Sequence, residues 1–379
     1  VEPDWRMEEQ FVVDQVHSSL ISDSLANTHA MSSDVGSPSD IRTIFGTISY
    51  NKGFYRVNYD DTNWNLIISH LNSDQFDVIH VLNRAQLLDD SLNLARAGIL
   101  DYNTALNLTL YLTRETDYIP WYTALSSFTF LDRRLRGLGD TEHSYFKDYV
   151  LRIMETARQV VGLSEETNES LVTKLHRNQI LTWQCNFGVQ SCIDMASSEL
   201  VKLMDDPENY LVAPDLKTVV YCNALRYGGE EEWNFLWNRY LTHNVNTEQV
   251  LILGALGCTR NETLAHSNGG VDLLATILTG IAEHVSTIDQ AEEIRNLIEE
   301  NQANLGTALG ASQRTLETVE ENLAWLDQNG GEISNWLSVS LPSTTPAPPL
   351  TTPPGGAGSF SASVFAITVS LIMTCVRFV

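Results

Sequence analysis

The stretch Arg314–Gln328, RTLETVEENLAWLDQ, decides the fold class. Leu316, Val319, Leu323 and Leu326 fall on one face of a helix, with Glu317, Glu320 and Glu321 on the others. A half-buried strand would alternate apolar and polar residues, and no such period is sustained between Trp64 and Trp336. Upstream, Thr287–Ile298 opens with a capping box, Thr287 and Gln290, and carries Ile288, Ala291, Ile294 and Leu297 on its apolar stripe. Further back, Asp74 is placed to cap a run with Phe76, Ile79, Leu82 and Leu87, which Gly98 can end. Short Gly, Asn or Pro breaks between such runs predict antiparallel helical hairpins stacked side by side. The expected fold is mainly α, an irregular α-superhelix without a strict sequence repeat. The stretch before Gly53 reads differently: a helical pattern over Trp5–Leu25, then the turn-rich Ser32–Asp40, as in part of another domain.

With 379 residues, 43% of them apolar, the chain can bury one large core or two modest ones. Its net charge of −25 repels phosphate backbones, and no cluster of Lys and Arg interrupts that excess, so nucleic acid is excluded as a partner. No leader pattern accompanies Val1, and the chain reads as a fragment. Of the five cysteines, Cys375 lies in the terminal apolar run. The other four allow three pairings, and local closure favours Cys185 with Cys192 and Cys222 with Cys258. Sequons at Asn107, Asn168 and Asn261 agree with an extracellular setting.

After Ser340 the composition changes to LPSTTPAPPLTTPP, an extended, hydroxyl-rich stalk that cannot build a core. Small residues Gly355–Ser359 follow, then the largely apolar Phe360–Val379. That order is a glycosylphosphatidylinositol attachment signal, with Gly355 the expected attachment residue and the tail removed on maturation. Val364–Val376 falls short of the roughly 20 apolar residues that a bilayer core requires. The expected location is therefore the outer face of the cell membrane.

Spacing alone reveals no active site. A helical zinc site needs two histidines one turn apart, as in H-E-x-x-H, and the nearest pair, His70 and His80, is ten residues apart. G-x-S-x-G and G-x-x-x-x-G-K are also absent.

Two abutting stretches, FGTISYNKG (45–53) and FYRVNYDDTNW (54–64), nevertheless resemble signatures of the zinc aminopeptidase family typified by aminopeptidase N. Upstream, WRMEEQFVVDQVHSSLISDSL (5–25) resembles the part of the catalytic domain that follows its zinc site. Downstream, RAQLLDDSLNLARAGILDY (84–102), YLTRETDYIPW (111–121) and YCNALRYGGEEEW (221–233) resemble the family's helical C-terminal domain. With the stalk and anchor, the chain is most similar to the anchored members of the insect midgut.

The resemblance implies a remnant of a thermolysin-like catalytic domain over 1–53 and a HEAT/armadillo-like helical C-terminal domain over 54–340. Residues 341–359 form the stalk and attachment region, and 360–379 the signal tail. It implies the same two cysteine pairs as disulfides, zinc as the family's cofactor and peptides as substrates, with N-terminal residues released. Bacterial insecticidal toxins are a further implied partner. Tyr50 matches the tyrosine whose hydroxyl stabilises the oxyanion. The family's zinc and substrate-amine motifs are missing, and ISYNKG (48–53) and GFYRVNYD (53–60) share Gly53 where the family separates them by the last part of the catalytic domain and most of a β-sandwich. The expectation is a chain that binds no zinc and is inactive alone, with residues 1–53 lacking the sheet and helices they pack on. The alternative is an anchored, non-catalytic helical scaffold or receptor.

Overall fold

The computed structural model describes residues 6–17, 56–166, 168–260, 280–300, 302 and 309–340. Among these, every regular element is helical, as the apolar period requires. The chain divides into two compact units, one of residues 1–130 and 150–180, the other of 131–149 and 181–379.

The first unit begins with α1 (Met7–Phe11), which continues as a π-helical turn over Val12–His17. After it come α2 (Asp61–Leu71), α3 (Val81–Arg96), α4 (Tyr102–Thr109) and the leading part of α5 (Tyr118–Leu135). The final turn of α6 (Asp140–Ile153), then α7 (Glu155–Val161) and the first turns of α8 (Leu171–Asn186), complete it. Asp60 and Asp101 cap α2 and α4, accepting the N–H groups of Asn63 at 2.9 Å and Thr104 at 2.6 Å. α3 packs on α4, and α4 on α2. The large buried side chains Trp64, Tyr102, Tyr111, Trp121 and Phe128 fill the interior.

Two expectations change here. The run predicted from Asp74 to Gly98 is broken into a 3-10 turn, Phe76–Val78, and α3. The Asp74 carboxylate faces Arg114 instead, and α3 is capped by His80 Nδ1, which accepts the Leu82 N–H at 3.3 Å. The predicted end holds, because Gly98 takes the left-handed φ of 71° that lets Ile99 N–H turn back to the Leu94 carbonyl. The second change concerns residues 6–17, which do have something to pack on. Val13 is buried with Ala85, Tyr118, Ile119 and Val172. The other residues of 1–53, Tyr50 among them, lie outside the described residues.

In the second unit the last turns of α8 lead to α9 (Gln190–Asp205), α10 (Lys217–Tyr227), α11 (Glu230–Thr242) and α12 (Asn246–Leu256). Successive members of this series touch, α9 on α10 and α11 on α12, and α12 returns to α10. Both predicted disulfides form. Cys185–Cys192 is fully buried between the end of α8 and the start of α9, whereas Cys222–Cys258 ties α10 to the turn after α12. Glu248 links the same two helices, accepting from Lys217 Nζ at 2.6 Å and Tyr221 Oη at 2.8 Å.

The unit ends with α13 (Ile288–Glu300) and α14 (Leu309–Ser340). The predicted box is present: Gln290 N–H reaches Thr287 Oγ1 at 3.3 Å, and Gln290 Oε1 accepts Thr287 N–H at 3.2 Å. Ala291, Ile294 and Leu297 are buried as expected, while Ile288, in the first turn, is 67% exposed. At 32 residues, α14 is about 48 Å long, twice the predicted stretch. Its buried positions run Ser312, Thr315, Val319, Asn322, Leu326, Asn329, Gly330, Ile333, Trp336 and Leu337. Asn322 donates to the Ala282 carbonyl at 2.8 Å. Two glycines permit close packing around it. A Cβ on Gly137 would stand 2.2 Å from the Ser286 carbonyl oxygen, and one on Gly330 would stand 2.8 Å from Leu138 Cδ2.

Candidate functional site

In two places of the first unit, charged residues combine burial with incomplete pairing. On α3, Asp89 and Asp90 occupy buried positions among Leu88, Leu92 and Ala95. Such a position is costly for a carboxylate unless a partner meets it. Arg56 supplies that partner, its Nη1 donating to Asp89 Oδ2 at 2.6 Å and lying 3.4 Å from Asp90 Oδ1. Asp90 also accepts the Val57 N–H at 3.3 Å and Gln86 Nε2 at 2.9 Å. One guanidinium does not fully compensate two carboxylates. Burial pushes the Asp90 carboxyl up to about 6 and Asp89 adds repulsion, against the opposing pull of Arg56 and the Val57 N–H. His17 closes the group, its Nε2 3.2 Å from Gln86 Oε1 and its Nδ1 3.3 Å from Thr123 Oγ1. Burial lowers its pKa.

The second place is a cavity of about 340 Å³ lined by Arg6, the turn Thr116–Tyr118, Val160 and Val161 of α7, and Ser170, Val172, Thr173 and His176 at the start of α8. Arg6 has a left-handed φ of 49°, uncommon for a residue with a side chain. Its guanidinium pairs with Glu9 and donates from Nη1 to Asp117 Oδ2 at 2.8 Å. Ser170 Oγ accepts the Thr173 N–H at 3.1 Å and so caps α8. His176 is 3% exposed, its ring stands edge-on to Tyr118 at 6.0 Å, and its Nε2 has no hydrogen-bond partner. Burial holds its pKa near 4, so the imidazole is neutral at ordinary pH.

Asn168 is exposed in the turn before α8, with φ 70°, a conformation asparagine tolerates. Asn107 is half-buried within α4, and the Thr109 of its sequon is fully buried. Tyr50, Asn261 and Gly355 lie outside the described residues. No described helix is long and apolar enough to cross a membrane.

Among the described residues, no three His, Cys, Asp or Glu side chains gather as a metal would require. The four described cysteines are spent in disulfides, and the histidines of both clusters face amides, hydroxyls or aromatic rings. These residues do not fit a zinc ion, and no chemical step is derived through one.

Neither cluster was assembled by sequence reasoning. Arg6 and Asp117 are 111 residues apart, Arg56 and Asp89 33 apart, and no local period joins such pairs. A usable signal did exist at Asp89 and Asp90, two adjacent acids flanked by leucines in a helical run.

Comparison with known proteins gives two family matches. Residues 50–267 match the ERAP1-like C-terminal domain, and residues 1–59 match the peptidase family M1 domain. An aminopeptidase N of Plutella xylostella is 33% identical, over 84% of this chain and 38% of its own length. A membrane alanyl aminopeptidase of Manduca sexta is 35% identical over 57% of this chain and 22% of its own length. Aminopeptidase N of Rattus norvegicus is 28% identical over 76% of this chain and 35% of its own length. The chain thus spans well under half the length of these relatives.

Proposed function

The chain belongs to the ERAP1-like C-terminal domain family of aminopeptidase N-type M1 peptidases, and from that premise we propose that it serves as the helical portion of a cell-surface zinc metallo-aminopeptidase. The observation that carries this reading is the match over 50–267, which encloses α2 to α12 and both disulfides. The reaction is release of N-terminal residues from peptides, as the relatives' names state for those proteins. The 379 residues contain no H-E-x-x-H, so the chain alone is proposed to be inactive. Tyr50 is the proposed donor to the oxyanion once a metal-bearing part is present.

The Thr/Pro stretch, the small residues at 355–359 and the apolar tail support a glycosylphosphatidylinositol anchor at Gly355. Of the two described sequons, Asn168 is the better glycan acceptor because its side chain is exposed. The test of the catalytic reading is hydrolysis of an alanine chromogenic amide by the full chain with added zinc. No turnover is expected, and chelator-sensitive hydrolysis would overturn the proposed inactivity. Release from membranes by phosphatidylinositol-specific phospholipase tests the anchor, and retention in the pellet after a validated digestion would count against it.

A further inference from the structure

We propose that the cavity bounded by Arg6, Asp117 and His176 binds a free α-amino acid in its zwitterionic form. The argument begins with charge. Arg6 and Asp117 both line the cavity and pair with each other at 2.8 Å. A simple anion entering it meets the Asp117 carboxylate, and a simple cation meets the Arg6 guanidinium. A ligand carrying both signs a few bonds apart satisfies both walls.

The polar groups divide accordingly. For a carboxylate there is the N-terminal end of α8, where Ser170 serves Thr173 and the first-turn N–H of Val172, a residue that lines the cavity, has no intrahelical acceptor. His176 lies one turn further along, buried, with its Nε2 unpartnered. A neutral imidazole can donate from that nitrogen to a carboxylate oxygen. For an ammonium there is Asp117, whose oxygens accept one bond each, from Ile119 N–H at 2.9 Å and from Arg6. A carboxylate has room for further donors. The remaining wall is apolar, with Val160, Val161, Val172 and the Tyr118 ring available to a ligand side chain.

The cavity's roughly 340 Å³ sits at the low end for small-molecule sites and leaves room for a single amino acid. Docking of α1 accounts for the Arg6–Asp117 pair by itself. It does not account for a buried imidazole nitrogen without a partner beside that pair.

An amino acid is also the product released by the reaction proposed above, and that sense of the site rests on the peptidase reading. The binding does not, because it is read without turnover. The experiment is isothermal titration of the full chain with L-leucine, L-leucinamide and N-acetyl-L-leucine. Leucine should bind saturably at one site, with the amide and the acetyl derivative each weaker by about tenfold or more. Asp117→Asn and His176→Leu should each weaken leucine by about tenfold, while His176→Gln, which keeps a donor, retains part of the affinity. Val160 is 61% exposed at the cavity, so Val160→Trp can fill the space without disturbing the core and should abolish binding. The Trp variant keeps the proposal falsifiable should a His176 variant unfold. No saturable binding up to about 50 mM leucine overturns it. So does either derivative binding as tightly as leucine, or wild-type affinity in Val160→Trp.

Discussion

Arg84 and Glu115 close on each other inside the first unit, Nε donating to Oε2 at 2.7 Å and Nη2 to Oε1 at 3.2 Å, with both side chains nearly sealed from water. Arg84 Nη1 also donates to the Ile79 carbonyl at 2.6 Å, which fixes the chain just before α3. Glu115 Oε1 accepts the N–H groups of Thr116 and Asp117, shaping the turn that leads to the cavity. Arg84→Met should therefore cost about 3–5 kcal/mol, since it strands a buried carboxylate. Arg84→Met with Glu115→Leu should cost less than the sum of the single changes. Urea unfolding measures both. A single-variant loss under about 1 kcal/mol would show that the pair is solvated after all.

Asp90 gives the protein a pH dependence of definite sign. Its folded-state carboxyl stands at about 6 against an ordinary 3.8, so between those values the folded chain holds a proton that the unfolded chain has released. Stability from this group falls as pH rises through that window and stays low above it. Asp90→Asn should flatten this slope and gain up to about 3 kcal/mol at pH 7. Denaturation of both proteins at pH 4.5 and 7.5 tests this, and parallel pH profiles would refute it.

Glycine positions in the second unit should respond oppositely. Gly137→Ala forces a methyl against the Ser286 carbonyl, where a Cβ would stand 2.2 Å away, and should cost about 1–3 kcal/mol or more. Gly331→Ala lies inside α14 with nothing within 4 Å of the new methyl, and should gain about 0.5–1 kcal/mol. Thermal unfolding separates the two. A melting temperature raised by the first or lowered by the second contradicts the packing described.

The disulfides should also separate by access. Cys185 and Cys192 are fully buried, whereas Cys222 and Cys258 are half-buried, so graded reduction with alkylation should label the second pair first. Replacing both cysteines of the second pair by serine opens a loop of 36 residues and should cost about 4 kcal/mol on chain-entropy grounds. The first pair closes only 7 residues, for about 2 kcal/mol before the cost of burying two hydroxyls. Simultaneous labelling of all four thiols would contradict this order.

The sequence discloses local relations well here and distant ones poorly. Thr287 and Gln290 are three residues apart, so the box between them is written in the chain, and the disulfide pairs follow from short loops. Gly98 ends a helix because glycine alone reaches its φ without strain. The start of α3 differs because the chain makes a separate 3-10 turn at Phe76–Val78 and His80 takes the capping role, an unusual N-cap residue that a search for Ser, Thr, Asp or Asn passes over. The buried face of α14 went half unread, since Ser312, Thr315, Asn322 and Asn329 sit on it and an apolar count passes over them. The cavity needs Arg6, Asp117 and His176 together, and only the folded chain brings them to one place.

The uneven filling of α14 has a mechanical consequence. Its early buried positions are small or polar, whereas Ile333, Trp336 and Leu337 occupy the last turns, with Trp336 edge-on to Tyr149 at 5.1 Å. Tension entering at Ser340 reaches that end of the helix first, so the bulkiest side chains meet it before the contacts near Ser312 do. A tether pulling there would have to dislodge Trp336 and Leu337 before it could unravel the rest of the helix.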